Sequence, residues 1–159
     1  LYLLKKSMLQ RIQTIYLLLV IVFITLSMFF PFATFSNDDV RIQFISFGLV
    51  PSSEDVSTRF PIYVGIFMII GVSIAAIGLF KNRKRQLLFG KINYLLILLT
   101  LVLLLIEVDF LSGKLLLEND LPSYGMGTYF IVCTLPLVFL ANRAIKKDEA
   151  LIKSLDRLR

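Results

Sequence analysis

Between Arg11 and Asp38 the chain carries no charged side chain. The run IQTIYLLLVIVFITLSMFFPFATFSN is longer than the roughly 20 residues a helix needs to cross a hydrocarbon core. Its length, and the bulky FATF in place of small residues at its end, argue against a cleaved signal peptide. The run predicts a retained membrane span over 12–35. Pro31 lies near the far end of it, where a missing N–H ends or kinks a helix.

Three further apolar runs follow. Residues 60–80 are charge-free between Arg59 and Lys81, and Pro61 suits a first helical turn. Residues 87–107 make the third span. Its charge-free part, Ile92–Ile106, is too short to cross alone, so the span takes in Lys91, whose long stem can reach back to the headgroups. Residues 121–142 make the fourth, with Pro136 inside it and Thr134 placed to satisfy a freed carbonyl. The composition agrees. Hydrophobic residues are 57% of the chain, above the roughly 45–50% of soluble domains, and the mean hydropathy is +0.83.

Charge decides orientation, because Lys and Arg near helix ends stay on the cytoplasmic side. Of 17 basic residues, Arg41, Arg59 and Lys114 fall on one face of the four predicted spans and all the others on the opposite face. Both termini are therefore expected inside. Taking the start as Met8 rather than Leu1 removes Lys5 and Lys6 and leaves the asymmetry intact. The expectation is an all-α integral membrane protein of one domain over 1–159. It is a bundle of four transmembrane helices in the inner membrane of a bacterium, N-in and C-in, with a tail over 143–159.

Two smaller patterns stand outside the spans. Val40, Ile42 and Phe44 alternate with Arg41 and Gln43, the period of a short strand in a small surface cap. In the tail, Ile145, Leu151, Ile152, Leu155 and Leu158 project to one side of a helix and Lys146, Lys153 and Arg157 mainly to the other, with Asp148 interrupting the apolar side. A short amphipathic cytoplasmic helix of this kind lies on the anionic leaflet, docks on a partner, or is a plain solvated anchor.

Candidate functional residues are few. Gly71, Ala75 and Gly78 place small residues on one face of the second span, where another helix could approach closely. Glu107 is the candidate intramembrane charge, because an ionisable side chain in a span is by default functional. Asp109 is turned about 200° from it on a helix, so the two cannot form a facing acid pair. The reading the sequence favours is that the third span has reached the outer interface by this point, which places both acids there. Lys81, Arg83, Lys84 and Arg85, in KNRKR between two spans, are candidate lipid-headgroup contacts rather than a nucleic-acid patch. The chain has no His and one Cys, Cys133, which reads as a small packing residue. Gly125-Met126-Gly127 reads as a flexible lead-in to the fourth span. No catalytic, metal or cofactor constellation is expected, and no nucleic-acid partner.

MLQRIQTIYLLL at Met8–Leu19, FKNRKRQ at Phe80–Gln86 and LANRAIKKDEALIKSLDRLR at the C-terminus together resemble a Bacteroidota family known only as domain of unknown function 4293. The resemblance implies a four-span membrane protein with no assigned activity. The reading that follows is a non-enzymatic structural or interaction subunit of an envelope complex. It associates with itself or with a membrane partner through the small-residue face and the C-terminal helix. The alternative is a small oligomeric transporter or channel in which Glu107 matters.

Overall fold

The computed structural model describes residues 2–37, 40–51, 57–80, 82–115 and 121–156; within these, side chains are described for 12–36, 41–51, 57–80, 82–115 and 121–150. Four helices dominate: α1 (Tyr2–Ser27), α2 (Ile62–Gly78), α3 (Arg83–Leu115) and α4 (Met126–Asp156). They pack in a ring in which α1 touches α2 and α4, and α3 touches α2 and α4. Helices α3 and α4 contain segments long and apolar enough to cross a membrane, Arg83–Leu115 and Met126–Ala150. The apolar segments Ile12–Ser27 and Ile62–Gly78 of the other two are shorter.

An all-α fold was the expectation, and the chain departs from it by adding a four-stranded antiparallel sheet. Strands β1 (Ala33–Asn37), β2 (Val40–Ile45), β3 (Gly48–Val50) and β4 (Ser123–Tyr124) lie in the order β3-β2-β1-β4. The alternation at Val40, Ile42 and Phe44 does mark a strand, β2. Its partner β1 comes from the predicted first span, which ends at Ser27 and not at 35.

The reason is local. Pro31 has no N–H to give a helix and biases the residue before it away from helical dihedrals. The last turn closes early, with Met28 N–H donating to Thr25 O at 3.1 Å and Phe29 N–H to Leu26 O at 3.0 Å. Beyond it, Phe32 N–H donates to Phe44 O at 2.7 Å and Ala33 pairs with Phe44. Apolar character alone does not separate a short strand from a helix end.

The sheet is sewn to the start of α4. Gly125 N–H donates to Phe32 O at 2.8 Å and Gly127 N–H to Pro31 O at 3.0 Å. A Cβ on Gly125 would stand 2.2 Å from Pro31 O, and one on Gly127 2.6 Å from Phe30 O. These glycines permit a close approach of two backbones, so the flexible lead-in expected here is a clasp. Phe35 and Phe44 of the sheet, with Phe32 just before β1, are buried in one cluster with Ile66, Leu104 and Leu111. The sheet therefore closes one end of the bundle. A smaller cluster of Leu17, Ala76 and Ala141 fills the other.

Helices α3 and α4 both outrun their predicted spans. Asn82 caps α3, its Oδ1 accepting Arg85 N–H at 3.3 Å. Helix α4 runs through 142 to Asp156 without a break. The expected tail helix is the continuation of α4, and Ile145 and Asp148 on it are buried against the bundle. The side chains of Leu151, Ile152, Leu155 and Leu158 lie outside the described residues. At Pro136 the Thr134 hydroxyl donates to Ile131 O at 2.6 Å, one residue before the carbonyl that the proline frees. Cys133 is exposed, not packed inside as expected, because it shares the outward stripe of α4 with Tyr129, Pro136 and Leu140.

Candidate functional site

Polar side chains sit inside this bundle, and on α3 they are ordered. Its buried stripe is Gln86, Gly90, Asn93, Ile97, Thr100, Leu104, Glu107 and Leu111, at alternating spacings of four and three. Within the stripe Gln86, Asn93, Thr100 and Glu107 recur every seventh residue, and so do Gly90, Ile97, Leu104 and Leu111. A seven-residue repeat keeps each lane facing one neighbour along a long helix.

The polar lane faces α2. Asn93 Nδ2–H donates to Ser73 Oγ at 2.8 Å, and both residues are 0% exposed. Thr100 packs onto Gly65, where a Cβ would lie 2.6 Å from its Oγ1. Glu107 Oε1 accepts Arg59 N–H at 2.7 Å. The three contacts fall about seven residues apart on α2 and its lead-in as well, in antiparallel register. The second lane faces α4 near the start of α3, where Asn142 Nδ2–H donates to Gly90 O at 3.0 Å. Gly90 is required there, because a Cβ would stand 1.8 Å from Asn142 Oδ1.

Several buried oxygens of this seam have no hydrogen-bond partner among the described residues: Gln86 Oε1, Asn93 Oδ1 and Glu107 Oε2, with Asn142 Oδ1 beside Gly90. All are acceptors. Each can take a water or another hydrogen donor, and from Gln86 to Glu107 the lane covers about 31 Å of helix.

Glu107 is 0% exposed, which places the candidate intramembrane charge inside the protein. It does not stand midway along the bundle. It stands 24 residues along α3 from Arg83, about 36 Å, under the sheet and beside the start of α2. The Arg59 guanidinium lies 3.3 Å above the Phe110 ring, one turn from Glu107, as a cation over an aromatic face. Asp109 is exposed on the other side of α3, as its spacing predicts.

A second buried acid, Asp148, closes the opposite end. Arg83 Nη2 lies 2.9 Å from Asp148 Oδ2, with side chains 12% and 3% exposed. Arg83 Nη1–H donates to Asp148 O at 3.1 Å, and Gln13 Nε2–H donates to Asp148 Oδ2 at 3.3 Å and to Ala144 O at 3.2 Å. One carboxylate thus joins α1, α3 and α4. The interruption of the apolar stripe at Asp148 has this meaning, and the sequence signal for it is only the interruption itself.

The remaining predicted residues disperse. Arg83 turns inward to Asp148, Lys84 and Arg85 are exposed, and Lys81 lies outside the described residues. Gly71 and Gly78 are exposed and Ala75 half-buried. A Cβ on either glycine would meet nothing within 4 Å. Within the chain, α2 packs instead through Ile62, Ile66, Ile69, Ser73 and Ala76. The small-residue face looks outward.

A family model described as domain of unknown function (DUF4293) matches residues 9–158, and the chain belongs to that family. No curated protein and no solved structure matches it.

Proposed function

We propose that this member of the DUF4293 family is a four-span membrane protein of the bacterial inner membrane, one domain with both termini inside, which serves without catalysis as a structural or interaction subunit of an envelope complex. The observation that carries the membrane reading is the inverted distribution of polarity on the helices. Large apolar side chains look outward on all four, among them Val22, Phe67, Leu95 and Phe139, while Gln13, Ser73, Asn93, Thr100 and Glu107 are buried. Water would favour the reverse; lipid favours this. Helix α2 is about 25 Å long. Phe60 and Pro61 before it, with Leu79 and Phe80 after it, extend the apolar stretch toward the roughly 30 Å of a hydrocarbon core.

The association role rests on the Gly71, Ala75 and Gly78 face, which the chain's own helices leave uncovered and which small residues suit to close helix contact. Truncation after Arg143 is a poor test, because it removes Asp148 and strands Arg83. Purification in mild detergent, comparing the wild type with Gly71→Leu plus Gly78→Leu, is cleaner. The wild type is expected to elute as an oligomer or with a partner, and the double variant as a monomer. A monomer in both cases contradicts the association.

A second reading, a small transporter or channel, is favoured by one observation: the Oε2 of buried Glu107, without a partner among the described residues, at the end of a polar lane. Ion or proton flux into liposomes that Glu107→Gln abolishes supports it. Flux that is absent, or indifferent to that change, removes it.

A further inference from the structure

Beside the Gly90–Asn142 contact, α3 and α4 enclose an open cleft of about 320 Å³ lined by Lys91, Tyr94, Leu95, Phe139 and Asn142. That volume is at the lower end of the roughly 300–1,000 Å³ of small-ligand sites. The cleft wall itself is almost wholly apolar, and the two lining residues with ammonium or amide heads stand at one end of it along the helices. Lys91 and Asn142 lie toward the cytoplasmic ends of their helices as topology assigns them, and Tyr94, Leu95 and Phe139 lie further into the membrane. Leu95 is 64% exposed and Phe139 57% exposed, so the apolar end is open along the side of the bundle.

The helical register gathers cations at the polar end. Lys84 precedes Lys91 by seven residues on the same stripe of α3, with Leu88 and Leu95, and all four are exposed. On α4, Arg143 and Lys146 follow Phe139 by four and seven residues and are also exposed. Neither Lys91 nor Lys84 has an acidic partner among the described residues. The acids nearby are Asp148, which Arg83 engages, and Glu149, the next residue of α4. Lys91 stands eight residues from Arg83 along α3, about 12 Å. That is the depth at which a lysine stem lies along hydrocarbon and its ammonium reaches the headgroups.

We infer that this cleft binds one anionic phospholipid of the inner leaflet, with an acyl chain against Tyr94, Leu95 and Phe139 and the phosphate held by Lys91 with help from Lys84 or Arg143. Charge complementarity selects this occupant. A basic pocket between helices on the cytoplasmic side is the arrangement that recognises acidic headgroups, and an apolar cleft that ends on a cation matches an amphiphile with an anionic head. The inference rests on the membrane reading above and adds a ligand class to it.

Native mass spectrometry of the full chain in detergent tests it, with phosphatidylglycerol and phosphatidylcholine of identical acyl chains as probes. Phosphatidylglycerol is expected to be retained at least about five-fold more strongly, the factor that one cation beside an anionic surface contributes. Lys91→Gln should remove most of that preference. Lys114→Gln, at the other end of α3, should leave it unchanged. Leu95→Trp, which fills the cleft and keeps the charge, should weaken both lipids alike. Equal retention of the two lipids, or a preference that survives Lys91→Gln, overturns the site. Carbonate washing of native membranes separates the premises: a chain that washes off defeats the membrane reading and the site with it, whereas a chain that stays and shows no preference defeats the site alone.

Discussion

The two ends of the bundle each bury an acid and treat it differently. At the end where α3 begins, Asp148 has a guanidinium at 2.9 Å and a second donor in Gln13. At the end under the sheet Glu107 accepts one backbone N–H, and its second oxygen has no partner among the described residues. The guanidinium of Arg59, whose backbone N–H Glu107 accepts, is stacked on Phe110. The first arrangement ties three helices together and leaves little to react. The second holds the lead-in of α2 in place with half of its bonding capacity, and keeps a free acceptor beneath a cap. A closed structural node and a partly open one thus occupy opposite ends of one helix, α3.

The comparison can be broken most forcefully at the closed end. Arg83→Ala leaves the Asp148 carboxylate buried with Gln13 as its remaining side-chain donor, and should cost about 3–5 kcal/mol in reversible unfolding followed by circular dichroism in detergent. Replacing both partners, Arg83→Leu with Asp148→Leu, should recover most of the loss, because removing a buried pair together leaves no stranded charge. A single variant as stable as wild type would show that the pair is not internal.

Glu107→Ala should cost less, about 1–3 kcal/mol, since it strands one backbone N–H and no opposing charge. In the middle of the seam, Asn93→Leu breaks the bond to Ser73 and should cost about 0.6–1.7 kcal/mol, the range for interhelical hydrogen bonds in membranes. Glu107→Gln should have the smallest effect, below about 1 kcal/mol, because its amide oxygen still accepts Arg59 N–H. A large loss on that last change would show that the carboxylate's charge, and not its acceptor geometry, holds this end.

Much of the architecture is legible from residue order. Long charge-free runs locate all four helices, and alternation at Val40, Ile42 and Phe44 locates a strand. The first span fails at its end because FATFS is apolar enough for a helix and also pairs as a strand, and only contact with β2 and Gly125 decides between them. The polar lane is visible in principle, since Gln86, Asn93, Thr100 and Glu107 repeat every seventh residue. Weighing Glu107 against its near neighbour Asp109 looks in the wrong direction, because the informative positions lie seven, fourteen and twenty-one residues back. The partners Ser73, Gly65 and Arg59 are hidden for a different reason: they depend on how α2 registers against α3, which local propensity does not set. Asp148 is the same case, an anomaly in one helix whose explanation stands at the start of another.

The account depends on the chain lying in a membrane with its charge-rich ends inside. Cysteine labelling in right-side-out spheroplasts tests this most directly, in a Cys133→Ser background that removes the only native thiol. Single cysteines go at the exposed positions Arg41, Lys84, Lys114 and Lys146. A membrane-impermeant maleimide should modify Arg41→Cys and Lys114→Cys in intact spheroplasts, and Lys84→Cys and Lys146→Cys only after permeabilisation. Modification of all four without permeabilisation, or of the two pairs in the opposite sense, would contradict it.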